Sequence, residues 1–188
     1  MRDLTALLVD MDGTLVDTGE ANFAAYSAAL SEAGIAVNRE TFDRVAFGRH
    51  WQQFLPVLLE GTAAEPATIA ARKQMLYVDM LSCTRLNHQL VALISVLRPT
   101  CKTGLVSSAS RSSVIAILGA HDLQACFDVV VTGDDVVAHK PAPEAYLLAA
   151  HRLGVDPGDC LAIEDSAVGV ESARRAGMAV LRIESAFF

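Results

Sequence analysis

The feature that most restricts the fold is a set of five short apolar runs, at residues 4–9, 103–106, 127–131, 160–163 and 178–183. Valine, leucine and isoleucine dominate them, with little polar alternation. That is the pattern of parallel strands covered on both faces. Helical patterns separate the later runs, at residues 90–97, 114–118, 143–153 and 168–176. Ser110 or Ser112 is placed to cap the second of these. Pro143 opens the third and Gly154 follows it, and Gly177 follows the fourth. Strand–helix alternation of this kind predicts an α/β fold, a three-layer α/β/α core around a parallel sheet. Right-handed crossovers would bring the strand C-terminal ends to one edge, where ligands bind.

Residues 17–85 read differently. Alanine, leucine, glutamate and glutamine are frequent, no strand pattern stands out, and the punctuation (Gly34, Gly48, Gly61, Pro66) suits about four helices. The segment is too long for a loop. It is expected to be an all-helical cap inserted after strand 1, giving a core domain of residues 1–16 and 86–188 and a cap domain of residues 17–85.

Composition removes several function classes. With 52% hydrophobic residues and a mean hydropathy of +0.35, the chain is expected to fold compactly rather than stay disordered. A net charge of −7 repels nucleic acid and anionic lipid. Arg174-Arg175 reads as a solvated helix face. Cys83, Cys101, Cys126 and Cys160 form no CxxC, and the histidines show no zinc spacing. The apolar stretch before Asp10 is too short for a secretion signal or a membrane span. The expectation is a monomeric cytoplasmic protein with a small-molecule partner.

Chemistry enters at Asp10-Met11-Asp12-Gly13-Thr14. Two carboxylates at the end of a buried strand are costly without a partner, and a cation relieves that cost. Alone, this stretch reads equally well as an ordinary turn. Later strands end in matching polar stations, however: Ser107-Ser108, then Lys140-Pro141 after the third, then Glu164-Asp165. Together they suit phosphate monoester hydrolysis. Asp10 would attack phosphorus as nucleophile. Asp12 would protonate the leaving oxygen and then activate water. Mg²⁺ suits the oxygen donors of Asp10, Asp165 and Glu164. Ser108 would bind a phosphoryl oxygen and Lys140 would supply positive charge. Backbone amides at Gly13, Thr14 and Leu15, and near Ala109 and Ser110, would complete a phosphate cradle.

These stretches resemble the haloacid dehalogenase-like hydrolases, in the subgroup with a helical cap that includes beta-phosphoglucomutase and small sugar-phosphate phosphatases. The resemblance runs through Asp10 to Asp17, Val106 to Ser110, His139 to Pro143, and Ile163 to Ser166 with Gly169 and Ala173 to Met178. It implies a Rossmann-like core, a mobile cap, Mg²⁺, an aspartyl-phosphate on Asp10, and the Asp12 backbone carbonyl as a further metal ligand. It favours Ser108 over Ser107 as the phosphate-binding serine, with Ser107 the alternative. In the cap, Lys73 matches a lysine that reaches substrate in the mutases, and Gly48-Arg49 resembles a turn with a phosphate-binding arginine. An exposed basic residue is the ordinary reading of both. Trp51 is expected to pack within the cap.

Two departures matter. Asn22 stands where the mutases carry a histidine that relays protons, and an amide cannot do this. The stretch 84–88 departs from the hinge pattern. The leading expectation is therefore a Mg²⁺-dependent phosphatase for a small phosphorylated metabolite, a sugar or polyol phosphate. The alternatives are a sugar phosphomutase and, from another class, a non-catalytic phosphate-binding or signalling module, which would be expected to have lost a motif residue. Dehalogenation is disfavoured by Asp12, and phosphonate hydrolysis by the shortage of cap lysines.

Overall fold

The computed structural model describes residues 4–184; the outermost residues of the expected core domain, 1–3 and 185–188, lie outside the described residues. The chain opens with β1 (Ala6–Val9) and β2 (Val16–Asp17), then runs through α1 (Gly19–Glu32), α2 (Arg39–Ala46), α3 (Trp51–Leu58) and α4 (Pro66–Tyr77). A 3₁₀ turn, Val78–Cys83, leads into β3 (Arg85–Leu86) and α5 (His88–Leu97). There follow β4 (Lys102–Val106), α6 (Arg111–Ala120), β5 (Val129–Val131), α7 (Glu144–Leu153), β6 (Cys160–Glu164), α8 (Ala167–Arg175) and β7 (Ala179–Arg182).

The main sheet has the order β5-β4-β1-β6-β7, and all four pairings are parallel. β1 lies at its centre, fully buried, which explains its unbroken apolar sequence. Its side chains alternate between faces with period two. Leu7 and Val9 join a core with Leu90 and Ile94 of α5 and Val114 and Ile117 of α6. Ala6 and Leu8 join a second core with Ala145, Tyr146 and Ala149 of α7 and Ala173 of α8. Helices thus cover both faces, the expected three-layer architecture. Coverage fails at the edge strand β7, where Ala179, Leu181 and Arg182 are exposed. The expectation that every run is covered on both faces is corrected there, because an edge strand has only one neighbour to share cover with.

α1 to α4 pack around a third cluster in which Tyr26, Phe42 and Phe54 meet edge-on or tilted, with Leu30, Leu55 and Ile69 filling in. This is the helical cap after β1. A second correction concerns its borders. β2 and β3 pair antiparallel there, Val16 opposite Leu86 and Asp17 opposite Arg85, where no strand was expected. Strands of two residues carry too little periodicity to read. Asn87 secures the junction. Its side chain caps α5 at the Leu90 N–H (3.0 Å) and donates to the Thr14 carbonyl (3.2 Å).

Candidate active site

The C-terminal ends of β1, β4 and β6 meet at one edge of the sheet. Asp10 follows β1 directly and is 6% exposed. Lys140, from the loop between β5 and α7, reaches it. Its Nζ donates to Asp10 Oδ1 (2.7 Å), Glu164 Oε1 (2.6 Å) and the Val106 carbonyl (3.1 Å). Asp12 is held from three sides: Thr18 Oγ1 (2.5 Å) and Asn22 Nδ2 (3.4 Å) donate to Oδ1, and Ser107 Oγ (3.1 Å) donates to Oδ2. Asp165 accepts from Thr14 Oγ1 at Oδ1 (3.4 Å), while its buried Oδ2 has no partner. Asp10, Glu164 and Asp165 bring carboxylate oxygens within 4.8 Å of one another.

Four carboxylates therefore crowd this edge, and the Lys140 ammonium bonds to two of them. Burial, and then the charge of Glu164, push the Asp10 carboxyl well above its usual range, against the pull of Lys140. Burial followed by Glu164 likewise pushes Asp165 up to about 7. Burial alone would weaken the Lys140 ammonium, but Asp10 and Glu164 more than offset this and hold it charged. This excess of negative charge, the unpartnered Asp165 oxygen and the all-oxygen donor set fit a hard divalent cation such as Mg²⁺. Gly13 keeps the place open. It takes φ +85°, and a Cβ there would run into Asp165 Oδ2.

The cap roofs this edge, leaving a cavity of about 740 Å³ lined by Asp10, Asp12, Asn22, Lys73, Ser108 and Asp165 among others. Gly13, Arg49, Ala109 and Trp51 also line it, whereas Ser107 faces Asp12. Trp51 packs against the cap cluster as well. The Ser108 hydroxyl donates to the Gly48 carbonyl of the cap (3.3 Å). Arg49 donates to the Val45 carbonyl and is exposed. Lys73 is buried, its ammonium 3.5 Å from the Tyr77 ring centroid and 5.1 Å from that of Tyr26. Burial lowers its pKa to about 8.

One expectation needs correcting. The Gly13, Thr14 and Leu15 amides do not form an open cradle: Gly13 N–H donates to the Val16 carbonyl, and those of Thr14 and Leu15 to Met11. The tight turn after β1 uses its own donors, and Ala109 N–H donates to Ser107 Oγ. Other residues at the site escaped the sequence reading. Thr18 follows Asp17 as an ordinary helix-start residue. Tyr146 donates to Glu164 Oε1 (2.7 Å) but occupies an apolar helix position that reads as core. His50, at the N-terminus of α3, stacks on His139 with centroids 4.1 Å apart, and burial lowers its pKa to about 4. Gln53 donates to the Lys140 carbonyl beside them (3.2 Å). No sequence signal links residues that far apart.

Comparison with known proteins agrees with this fold. A family model described as haloacid dehalogenase-like hydrolase matches residues 4–177. Fructose-1-phosphate phosphatase YqaB of Escherichia coli is 32% identical over 92% of this chain and 92% of its own. Beta-phosphoglucomutase of Bacillus subtilis is 27% identical over 93% of this chain and 81% of its own. The crystal structure of CbbY from Rhodobacter sphaeroides in complex with phosphate superposes with a TM-score of 0.89 at 25% identity, covering 98% of this chain and 88% of that one. With its motifs at the ends of the strands that carry them, the chain belongs to the haloacid dehalogenase-like hydrolases.

Proposed function

We propose that this protein is a Mg²⁺-dependent phosphatase acting on a small sugar or polyol phosphate, as a cytoplasmic monomer. The observation that carries the reading is the convergence of Asp10, Asp12 and Asp165 on one roofed cavity, with Lys140 bonded to Asp10 behind it. The similarity to a protein named as a fructose-1-phosphate phosphatase supports the substrate class. In the first half-reaction Asp10 Oδ2 attacks phosphorus, the bond to the leaving oxygen breaks, and Asp12 gives that oxygen its proton. In the second, Asp12 takes a proton from water, the water oxygen attacks phosphorus, and the bond to Asp10 breaks to release inorganic phosphate. Lys140 holds Asp10 and faces the transferring group with its charge. Ser108 binds a phosphoryl oxygen, Arg49 and Lys73 contact the rest of the substrate, and residues 17–85 close over it as a unit. Asp10, Asp165 and the Asp12 carbonyl, with the Glu164 carboxylate beside them, form the site that would hold Mg²⁺, whose charge would lower the repulsion between Asp10 and the phosphoryl oxygens.

Asn22 donates to Asp12 and cannot relay a proton, which favours hydrolysis over the mutase reaction. The test is phosphate release from a panel of sugar phosphates, polyol phosphates and nucleotides, with Mg²⁺ and with EDTA. Release that needs Mg²⁺ and is strongest for one sugar or polyol phosphate is expected. Isomerised sugar phosphate without release would transfer the assignment to a mutase, and inertness toward the whole panel would leave a binding module. Light scattering is expected to give a mass near 20.0 kDa.

A further inference from the structure

The two adjacent carboxylates at the end of β6 have different surroundings. Glu164 is fully buried and both its oxygens are engaged: Oε1 accepts from Lys140 Nζ (2.6 Å) and Tyr146 OH (2.7 Å), and Oε2 from Ser166 Oγ (3.2 Å). Its carboxyl also lies against Gly169 in the first turn of α8, where any Cβ would overlap it. Asp165 turns the other way and leaves Oδ2 without a partner. We propose that Tyr146 is a positioning residue: its hydroxyl holds Glu164 back onto Lys140, so that Glu164 fixes the lysine while Asp165 is left as the carboxylate from β6 that takes the cation. The inference rests on the phosphatase reading for its kinetic part alone.

The geometry supports this division in two ways. Tyr146 sits beneath Lys140 as well as beside Glu164, with the ammonium 5.1 Å from its ring centroid. It comes from α7, five residues after Pro141, so the loop that brings the lysine and the helix that brings the phenol converge on one carboxylate oxygen. A carboxylate whose two oxygens already accept three hydrogen bonds, one from an ammonium, is a poor metal ligand, and outer partners of this kind set both the orientation and the strength of a metal site.

The experiment compares Tyr146→Phe, Glu164→Gln and Asp165→Asn by two readouts: Mn²⁺ binding to the protein, followed by the electron paramagnetic resonance of the free ion, and steady-state kinetics. Thermal denaturation verifies that each variant is folded. Asp165→Asn should weaken Mn²⁺ binding about a hundredfold, and Glu164→Gln by less than about tenfold, although Glu164→Gln lowers kcat severely. Tyr146→Phe, which removes one oxygen and keeps the ring, should lower kcat about tenfold with little change in KM and should tighten Mn²⁺ binding severalfold, as Glu164 becomes free to turn toward the ion. Loss of Mn²⁺ binding in Glu164→Gln as complete as in Asp165→Asn would make Glu164 a direct ligand and overturn the proposal. So would a Tyr146→Phe protein with wild-type kcat and wild-type Mn²⁺ affinity. Because Mn²⁺ binding is read without a substrate, a failure of the phosphatase reading would appear as wild-type protein inert toward every phosphate ester while the binding comparison still decides the role of Tyr146.

Discussion

Lys140 has three oxygen partners within 3.1 Å, and two of them are carboxylates. The ion pairs offset a large desolvation cost, and removing one partner leaves a charge uncompensated. Asp10→Asn retains Glu164 as a counter-charge for the lysine, so the variant should stay folded by circular dichroism. It should release phosphate on the order of 10⁴-fold more slowly, as expected when a nucleophile is lost. Retained turnover would show that another group attacks. Lys73 makes the opposite case. It is buried against aromatic faces, burial outweighs the charge of Asp12, and its pKa of about 8 lies below the unfolded value of 10.5. The folded state thus prefers the neutral amine: the penalty is fully present below about pH 8 and fades as pH rises toward 10.5. At neutral pH it amounts to about 3 kcal/mol at most, reduced by the contacts with Tyr77 and Tyr26. Lys73→Met should therefore raise Tm at pH 7 and lose that advantage by pH 10, while KM for the substrate rises. A variant no more stable at pH 7 than at pH 10, relative to wild type, would place the ammonium in solvent.

At the level of elements, the junction between core and cap is narrow. Two strands of two residues each carry it, closed by Asn87 and by the Asp17–Arg85 pair at 2.7 Å. The two contacts differ in worth. Arg85 is two-thirds exposed, and an exposed pair contributes about 0–1 kcal/mol. Asn87 is buried, caps α5 and also satisfies the Thr14 carbonyl, so Asn87→Ala should cost about 1–2 kcal/mol. Chemical denaturation of Asn87→Ala and Arg85→Ala measures this directly, and equal midpoints would remove the distinction. The cap also leans on the catalytic loop: Gln53 bonds to the Lys140 carbonyl, and His50 stacks on His139. Each contact joins a residue of the insertion to one about 90 positions later. That is why neither shows in local sequence pattern.

For the whole molecule, the cap decides what reaches the sheet edge. A cavity of about 740 Å³ under four helices has the size of a metabolite site and lies within the usual range for small-ligand pockets. A phosphoserine within a peptide could not be enclosed without opening the cap, and a misplaced phosphoryl group reacts slowly. We expect kcat/KM for a phosphoserine peptide to fall at least about a hundredfold below that for the best sugar or polyol phosphate; comparable values would mean that the cap does not select by size. No helix among the described residues is long and apolar enough to cross a membrane. The sequence alone determined the alternation of buried strands and helices, the helical insertion, and the placing of Asp10 and Asp165 at strand ends and of Lys140 in the loop after β5, because buried parallel strands and chemistry near their C-terminal ends leave local marks in composition and order. Only the tertiary structure decided that Ser107 serves Asp12 while Ser108 faces the cavity, that the amides after Asp10 close their own turn, and that Glu164 and Asp165 have opposite surroundings. Those distinctions depend on which way neighbouring side chains turn and on partners such as Thr18 and Tyr146, which are ordinary helix residues until packing brings them to a carboxylate.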